Sequence, residues 1–468
     1  MQRFFKPDHA RVGDTIPFFW DDTFHVFYLK RYADDTHDRI QTDWWHLVST
    51  DMVAFDEVGP AIRRGGPDDP HFSAATGSIV RVGEVFYAYW TGFARTPLAS
   101  GARHQTILRS TSTDLLTWEM DDDFALVADE TRYDPHEWRD PFVFYDEEAG
   151  LYRMLVAGQT LAGPAHRRGA TIQATSPDGV TWTIGEPIWA PGLFSMHECP
   201  DLFRLGDLWY LVYSTLTDRT VTRYRMASSL DGPWVAPADD ELDGLGLYAA
   251  KTISDGHHRF LVGWSPNYTA GVDGASWLWG GNLVVHELRQ LPDRRLTVVQ
   301  GARTRALLER AIDAPGSDFP AATVASTRGY ATQTLGVMPF AGFLDITLHP
   351  TPGTKAFGLE LRADETREHG YRLSFEPALG RFRVDRLGRF GADAPFDNRA
   401  LSIPEGAVDL NVEFDGEITV VYIGGVAAAT FRGYDLTGRL LAVFVEEGSV
   451  GVAAGTLHSL QHNLEEDR

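Results

Sequence analysis

The sequence predicts an all-β protein in which a five-bladed β-propeller is followed by a C-terminal β-sandwich. Three observations support this prediction: an aromatic-rich run that recurs five times, a Ser-x-Asp turn that follows four of those runs, and an alternation of apolar and polar residues beyond residue 318. The 45 glycines, 25 prolines and 12% aromatic content of the 468-residue chain are typical of an all-β chain with many turns.

The aromatic-rich runs lie at intervals of roughly 50–65 residues. They are the segments 24–29, 85–90, 151–156, 208–213 and 258–264. Most follow a turn signal such as Val82-Gly83-Glu84, so each is predicted to be the second arm of a hairpin. Self-similarity at this period, with four strands to a unit, predicts a β-propeller over residues 1–300.

A Ser-x-Asp turn follows each of the first four runs and leads to an aromatic residue. These turns are the segments 49–51, 112–114, 176–178 and 229–231. Serine and aspartate side chains bond their own backbone and start tight turns. We therefore expect these segments to link consecutive strands within a blade.

The pattern of apolar and polar residues changes after the fifth repeat. Residues 301–318, with Ala306-Leu307-Leu308, are predicted to be a short helical linker. Beyond it, apolar and polar residues alternate in the segments 358–363, 371–375, 381–385 and 417–422. This period of two is typical of strands with one buried face, and it predicts a β-sandwich over residues 319–468.

Charge and composition exclude several classes of partner. The formal net charge of −23 argues against nucleic acid and anionic membranes, which bind basic surfaces, and leaves a small carbohydrate as a compatible substrate. Cys199 is the only cysteine, the start of the chain lacks the apolar run of a signal peptide, and no segment has about 18 apolar residues. We expect a cytoplasmic protein without a membrane span. The sixteen histidines show no ligand spacing, so we expect no metal and no cofactor.

Three acidic residues occupy equivalent places in the repeats. Asp14 precedes the first aromatic run, Asp140 precedes the third, and Glu198 precedes the fourth. The first strands of a propeller converge on its axis, so acids from different blades can meet there although they are far apart in sequence. Cleavage of a glycosidic bond requires two carboxyl groups on either side of the sugar. The spacing therefore favours a glycoside hydrolase.

The chain resembles glycoside hydrolase family 32, the β-fructofuranosidases, over nearly its full length. Trp138-Arg139-Asp140-Pro141 is similar to the Arg-Asp-Pro box of that family, and Glu198-Cys199-Pro200-Asp201 is similar to its Glu-Cys-Pro box. The segment 44–51 resembles Trp-Gly-His-x-x-Ser-x-Asp, and Thr76-Gly77-Ser78-Ile79-Val80 resembles Ser-Gly-Ser-Ala-Val. The segments 247–252 and 261–264 are similar to the fifth blade of the family. A five-bladed propeller followed by a β-sandwich is the architecture that the resemblance implies.

The resemblance also implies residue roles. Asp14 would be the nucleophile that forms a covalent fructosyl-enzyme, and Glu198 would be the general acid and then the base. Asp140 would hold fructose hydroxyls and stabilise the transition state. The implied substrate-binding residues are Arg139, which would steady the acids, and Trp44, Thr76 and Ser78.

The segment around Asp14 departs from the family. The family usually has Trp-Met-Asn-Asp-Pro-Asn-Gly, whereas this chain has Gly13-Asp14-Thr15-Ile16-Pro17-Phe18, and Leu29 stands in place of a glutamine. The missing polar groups normally contact the fructose or the neighbouring subsite. Substrate preference therefore does not carry over with the resemblance.

We predict a retaining β-fructofuranosidase that releases terminal fructose from sucrose or short fructo-oligosaccharides. Three alternatives remain open: a fructosyltransferase that forms fructose anhydrides or oligosaccharides, an inverting arabinosidase or xylosidase of the related five-bladed group, and a non-catalytic carbohydrate-binding propeller. The sequence does not indicate the linkage, β-2,1 or β-2,6, nor the oligomeric state.

Overall fold

The computed structural model describes residues 2–32, 41–95, 104–388, 394–401 and 406–461. Within these residues the fold is built almost entirely from antiparallel strands. The strands before residue 300 pair in five consecutive units, and the strands after residue 311 pair with one another in a separate set. The prediction of an all-β fold is confirmed.

The five units contain three or four main strands each. The first contains β1 (Ala10–Trp20), β2 (Thr23–Tyr32), β3 (Asp43–Ser49) and β4 (Asp56–Ile62). The second contains β5 (Ser73–Val82), β6 (Val85–Phe93), β7 (Gln105–Ser112) and β8 (Glu119–Met120). The third contains β9 (Tyr133–Asp146), β10 (Leu151–Thr160), β11 (Gly169–Ser176) and β12 (Thr183–Trp189). The fourth contains β13 (Glu198–Leu205), β14 (Leu208–Thr215) and β15 (Val221–Ala227). The fifth contains β16 (Tyr248–Ser254), β17 (Arg259–Tyr268), β18 (Trp277–Gln290) and β19 (Leu296–Val299).

The first strands of the units contact one another in a closed cycle. β1 contacts β5, β5 contacts β9, β9 contacts β13, β13 contacts β16, and β16 contacts β1 again. β1 also pairs with β18 at Val12 and Gly281, which joins the first unit to the fifth. A ring of antiparallel sheets with the first strand of each nearest the axis is a β-propeller.

The sequence repeats correspond to defined elements of the units. Each aromatic-rich run lies in the second strand of its unit, namely β2, β6, β10, β14 and β17. Three of the four Ser-x-Asp turns have the expected hydrogen bonds to the aspartate: Asp51 Oδ1 accepts from the amides of Val53 and Ala54 at 2.8 and 3.0 Å. Equivalent bonds are made to Asp114 and Asp178.

The helix α1 (Ala302–Arg310) follows β19, within the segment expected as a linker. Short 3₁₀ turns occur at Ala165–Arg167, Thr269–Gly271 and Pro377–Leu379. The twelve strands after α1 are β20 (Ile312–Phe319), β21 (Ala322–Val337), β22 (Ala341–Pro350), β23 (Ala356–Ala363), β24 (Tyr371–Glu376), β25 (Arg381–Arg386), β26 (Asp397–Ala400), β27 (Val408–Asp415), β28 (Ile418–Ile423), β29 (Ala427–Arg432), β30 (Leu440–Val452) and β31 (Gly455–Leu460).

The strands after α1 form two layers. One layer has the order β26-β25-β24-β23-β30-β21, and the other has the order β29-β28-β27-β22-β31-β20. The layers join where β30 also pairs with β22, at Leu348 and Val452. Apolar side chains of both layers, among them Leu359, Leu373 and Leu410, fill the space between them as in a β-sandwich. Because β20 pairs with β31, this sheet begins at Ile312, inside the segment 301–318 that was expected to be a linker. The predicted domain boundaries at residues 300 and 318 stay predictions.

The sandwich packs against the propeller through a mixed apolar and polar surface. Ile418, Val420 and Tyr422 belong to the same buried cluster as Leu261 and Val284 of the fifth unit. The buried Asp243 accepts hydrogen bonds from His286 and from the backbone and side chain of Thr430, at 2.6–2.9 Å. Arg3 donates to the buried Glu413 at 2.7 Å.

Candidate active site

All five first strands contain a register shift at the same point along the strand. The shifts lie between Val12 and Thr15, Ala74 and Gly77, Arg139 and Phe142, Glu198 and Asp201, and Tyr248 and Lys251. A bulge of this kind inserts unpaired residues, bends the strand and redirects its side chains. The ring therefore presents one redirected segment per unit to the axis.

Three of the five bulges, those of the third, fourth and fifth units, hold their first residue in an uncommon backbone conformation. Asp140, Cys199 and Ala249 have φ values of 56°, 50° and 52°, and each follows the last paired residue of its strand. Such a conformation costs a non-glycine residue about 1 kcal/mol or more. Pro141 and Pro200 come next in their strands, and a proline there removes no ladder bond because the bulge residues are unpaired. This geometry explains the Asp-Pro and Cys-Pro pairs of the sequence.

A cavity of about 580 Å³ opens at the bulges. Its wall includes all three predicted catalytic acids, Asp14, Asp140 and Glu198. The other side chains in the wall are Leu29, Thr42, Phe72, Ser73, Ala75, Phe93, Ala94, His104, Gln105, Glu137, Arg139, Leu216, Tyr248, Trp277 and Trp279. Aromatic rings around a few converging polar groups are typical of a small-molecule site.

Asp14 is held by hydrogen bonds at both carboxylate oxygens. Thr76 Oγ1 donates to Oδ2 at 2.6 Å, and Trp264 Nε1 donates to Oδ1 at 3.0 Å. Burial, followed by the negative charge of Asp140, raises the pKa of Asp14 to about 7, although the two hydrogen bonds act in the opposite direction. The ring of Trp279 packs on Gly13, where a Cβ atom would come within 1.9 Å of it. Gly13 therefore lets an aromatic ring lie beside the carboxylate.

Asp140 lies deeper, with 4% of its surface exposed. Its Oδ2 accepts a hydrogen bond from the amide of Cys199 at 2.9 Å, and its own amide donates to Thr91 Oγ1 at 2.8 Å. Burial raises the pKa of Asp140, while the positive charge of Arg139 acts against this rise. The bulges of the third and fourth units are thus joined by a direct hydrogen bond.

Glu198 is also held at both oxygens. Arg139 Nη2 donates to Oε1 at 2.8 Å, and the hydroxyl of Tyr248 donates to Oε2. Arg139, Glu198 and Tyr248 are the last paired residues before the bulges of three successive units. Equivalent positions on neighbouring strands therefore bring these three side chains together.

The predicted substrate-binding residues have different positions. Arg139 lines the cavity as expected. Thr76 and Ser78 lie behind the wall, because Thr76 binds Asp14 and Ser78 Oγ accepts a hydrogen bond from the amide of Val143 at 2.8 Å. Trp44 is fully buried and donates its indole N–H to the carbonyl of Ala75 at 2.8 Å. Trp44, Thr76 and Ser78 are therefore not among the residues that line the cavity, and their assignment to substrate binding stays a prediction.

Sequence reasoning gave no role to two residues that hold the acids, Tyr248 and Trp264. Tyr248 can be found from strand register, because it occupies in β16 the position that Glu198 occupies in β13. Trp264 lies on β17 and packs its ring against Tyr248 and Trp277 at 5.5 Å. Glu137 and Gln105 were also missed, and both contact Arg139.

Two kinds of feature are absent from the described ranges. Among those residues, no group of three or more His, Cys, Asp and Glu side chains is arranged to hold a metal ion. No helix within them is long and apolar enough to cross a membrane.

Comparison with known proteins decides the family. The model of the glycosyl hydrolases family 32 N-terminal domain matches residues 14–285, which is more than half of the chain. The chain belongs to glycosyl hydrolase family 32. The matched segment begins at Asp14 and covers all three acids of the cavity.

Curated relatives of this family 32 chain are distant. A β-fructofuranosidase, insoluble isoenzyme 1, from Daucus carota is 23% identical over 340 residues, which cover 64% of this chain and 56% of that protein. A sucrose-6-phosphate hydrolase from Staphylococcus xylosus is 26% identical over 289 residues, 56% of this chain and 55% of that protein. The chain spans about half the length of the curated relatives it matches.

Solved structures confirm the fold of this family 32 chain over its whole length. The exo-inulinase from Aspergillus awamori has a TM-score of 0.75 at 17% identity, with 98% of both chains covered. The fructan 1-exohydrolase IIa from Cichorium intybus has a TM-score of 0.75 at 16% identity, with 98% of this chain and 97% of that chain covered. The prediction of a propeller followed by a β-sandwich is confirmed.

Proposed function

We propose that this chain is a retaining β-fructofuranosidase that releases terminal fructose from sucrose or short fructo-oligosaccharides. The observation that carries the proposal is the pair Asp14 and Glu198, which face one cavity and are each fixed at both carboxylate oxygens. We also propose that each of the five units is one blade, so that the acids converge from blades one, three and four. A cytoplasmic location stays part of the proposal, on the single cysteine.

The first half of the reaction cleaves the glycosidic bond. Glu198 donates its proton to the bridging oxygen while an oxygen of Asp14 attacks the anomeric carbon of the fructosyl group. The bond to the leaving group breaks, the leaving group departs with the proton, and an ester forms between Asp14 and the sugar. Asp140, adjacent to both, accepts hydrogen bonds from fructose hydroxyls and faces the positive charge that develops on the ring.

The second half releases the sugar. Glu198, now ionised, takes a proton from a water molecule, whose oxygen attacks the anomeric carbon. The ester bond breaks, Asp14 recovers its charge, and fructose leaves with the configuration of the substrate. In a fructosyltransferase a sugar hydroxyl takes the place of that water, so the same residues serve both outcomes.

Fructose release from sucrose and inulobiose by wild type, Asp14→Ala and Glu198→Ala tests the proposal. We expect release by wild type and a loss of about 10⁴-fold or more in Asp14→Ala. Wild type that binds β-fructosides without cleaving them would be a carbohydrate-binding propeller. Wild type that cleaves only arabinofuranosides or xylosides would belong with the inverting enzymes.

A second candidate substrate is a phosphorylated β-fructoside, and one pair of residues favours it. Arg11 and Arg31 stand directly opposite each other on β1 and β2, where like charges repel. Arg31 donates to the carbonyl of Trp279 at 3.3 Å, and Trp279 lines the cavity. Within the described ranges neither guanidinium has a salt bridge to a carboxylate. An anionic group on the substrate would relieve this repulsion.

Comparison of sucrose with sucrose 6-phosphate tests the second candidate. If the pair binds phosphate, wild type prefers the phosphorylated substrate and Arg31→Met loses that preference without losing activity on sucrose. Equal efficiency on both substrates in wild type excludes it.

A further inference from the structure

The cavity contains a fourth carboxylate that the proposed reaction does not use. Glu137 lies on β9, two residues before Arg139, so the two side chains share one face of the strand. Its side chain is 35% exposed and lies in the cavity wall. Glu137 is therefore placed to act on the site without being one of the two acids of the reaction.

Glu137 is ion-paired to the guanidinium that holds Glu198. Arg139 Nη1 donates to Glu137 Oε2 and to Gln105 Oε1, the latter at 3.4 Å. Arg139 Nη2 donates to Glu198 Oε1 at 2.8 Å, and Nε lies 4.0 Å from Asp140 Oδ2. One cation thus bridges three carboxylates, and Glu137 is the only one of the three without a role in the proposed reaction.

We propose that Glu137 is a positioning residue for the acid–base step, which fixes the guanidinium of Arg139 so that Arg139 in turn orients the carboxyl group of Glu198. This inference rests on the proposed function. Arg139 holds Glu198 through one nitrogen, and Glu137 binds another nitrogen of the same guanidinium. A guanidinium that is held by two carboxylates at once has less freedom to turn away from Glu198.

The charged and titratable groups that face Glu198 come from four strands. They are Asp14 on β1, Glu137, Arg139 and Asp140 on β9, Cys199 on β13, and Tyr248 and Lys251 on β16. Lys251 is buried and directs its ammonium to the carbonyl of Gly77 at 2.6 Å. Arg139 is therefore the cation in direct contact with Glu198, and Glu137 binds the same guanidinium.

The test compares kcat and KM for fructose release in wild type, Glu137→Gln, Glu137→Asp and the control Glu148→Gln. Glutamine keeps the length and an acceptor oxygen for Arg139 but removes the charge, whereas aspartate keeps the charge. Glu148 is a matched control because it is also paired with an arginine, Arg204, at 2.6 Å, and its side chain is 74% exposed.

We expect kcat to fall about fivefold to tenfold in Glu137→Gln with KM unchanged, because a less firmly held Arg139 no longer orients Glu198. The kcat of Glu137→Asp and of Glu148→Gln should stay close to that of wild type. The thermal midpoint of Glu137→Gln should also stay at the wild-type value.

Three results would overturn the inference. The kcat of Glu137→Gln could equal that of wild type, or KM could rise while kcat stays unchanged, which would indicate direct contact with substrate. The kcat of the control Glu148→Gln could also fall as far as that of Glu137→Gln, which would indicate a general effect of surface charge. Wild type that releases no fructose would instead refute the proposed function and, with it, this inference.

Discussion

Arg139 and Glu198 stand at the same position in neighbouring first strands, each directly before a bulge, and their side chains meet at 2.8 Å. The repeat therefore does more than bring the acids together. One unit supplies the acid, the preceding unit supplies the cation that orients it, and the following unit supplies the hydroxyl of Tyr248. Three copies of one backbone position thus form the acid–base part of the site.

Replacement of Thr76 by valine should move the acidic limb of the pH profile upward. The hydrogen bond from Thr76 lowers the pKa of Asp14, while burial and Asp140 raise it to about 7. Valine removes the bond at nearly constant volume, so ionised Asp14 is reached only at higher pH, by roughly one unit. The measurement is kcat/KM for fructose release between pH 4 and 9. A limb that moves downward would contradict the assignment of Asp14 as the group that must be ionised.

Replacement of Tyr248 by phenylalanine should lower kcat about tenfold, because the loss of a hydrogen bond to the acid–base carboxylate costs roughly 1.5 kcal/mol or more. Phenylalanine keeps the ring contacts with Trp264 and Trp277. The measurement is kcat for fructose release, and an unchanged kcat would show that Tyr248 does not act on Glu198.

Replacement of Asp14 by asparagine should stabilise the protein at alkaline pH. The pKa of Asp14 is raised from about 4 in the unfolded chain to about 7 in the fold, so its effect on stability is absent below pH 4 and becomes unfavourable as the pH rises to 7. The gain in the free energy of unfolding at pH 8 is on the order of 4 kcal/mol. Thermal midpoints of wild type and Asp14→Asn at pH 4 and pH 8 measure it. An equal difference between the two proteins at both pH values would mean that the pKa of Asp14 is not raised.

Replacement of Asp243 by alanine should weaken the contact between propeller and sandwich. The change leaves His286, the amide of Gly244 and two groups of Thr430 without their acceptor in a buried site. Removal of one partner from such a cluster costs about 3 to 5 kcal/mol. A matched control is Asp207→Ala, because Asp207 forms a salt bridge with Arg294 in which both side chains are more than half exposed. The thermal midpoint should fall for Asp243→Ala only. Equal falls in Asp243→Ala and Asp207→Ala would contradict a specific role of Asp243 in the contact between propeller and sandwich.

The sequence alone predicted the two-part fold and the chemical class because both depend on local patterns. The aromatic runs recur in all five units and the Ser-x-Asp turns follow four of them, and such a short-range period indicates the repeating unit without any knowledge of long-range contacts. Asp140 and Glu198 were found because a proline lies in each of the two bulges next to them. The bulges themselves were not predicted, since a register shift is a property of the paired strand as well as of its own residues.

The sequence could not distinguish the residues that line the cavity from those directly behind its wall. Trp44, Thr76 and Ser78 lie on strands where alternate side chains face opposite directions, and family resemblance does not report which of them reach the cavity. Contacts such as Arg3 with Glu413 join residues 410 positions apart, and no periodicity in the sequence indicates them. The role of Tyr248 could have been predicted from the sequence only by aligning its strand with that of Glu198, because the two residues occupy the same register position.

The stereochemistry of the transferred fructosyl group tests the central claim most directly. Wild type is incubated with sucrose in buffer containing methanol, and the methyl fructoside is identified by NMR. Attack by Asp14 followed by release assisted by Glu198 predicts methyl β-fructofuranoside. The α-anomer would contradict a covalent intermediate on Asp14 and indicate a single inverting displacement.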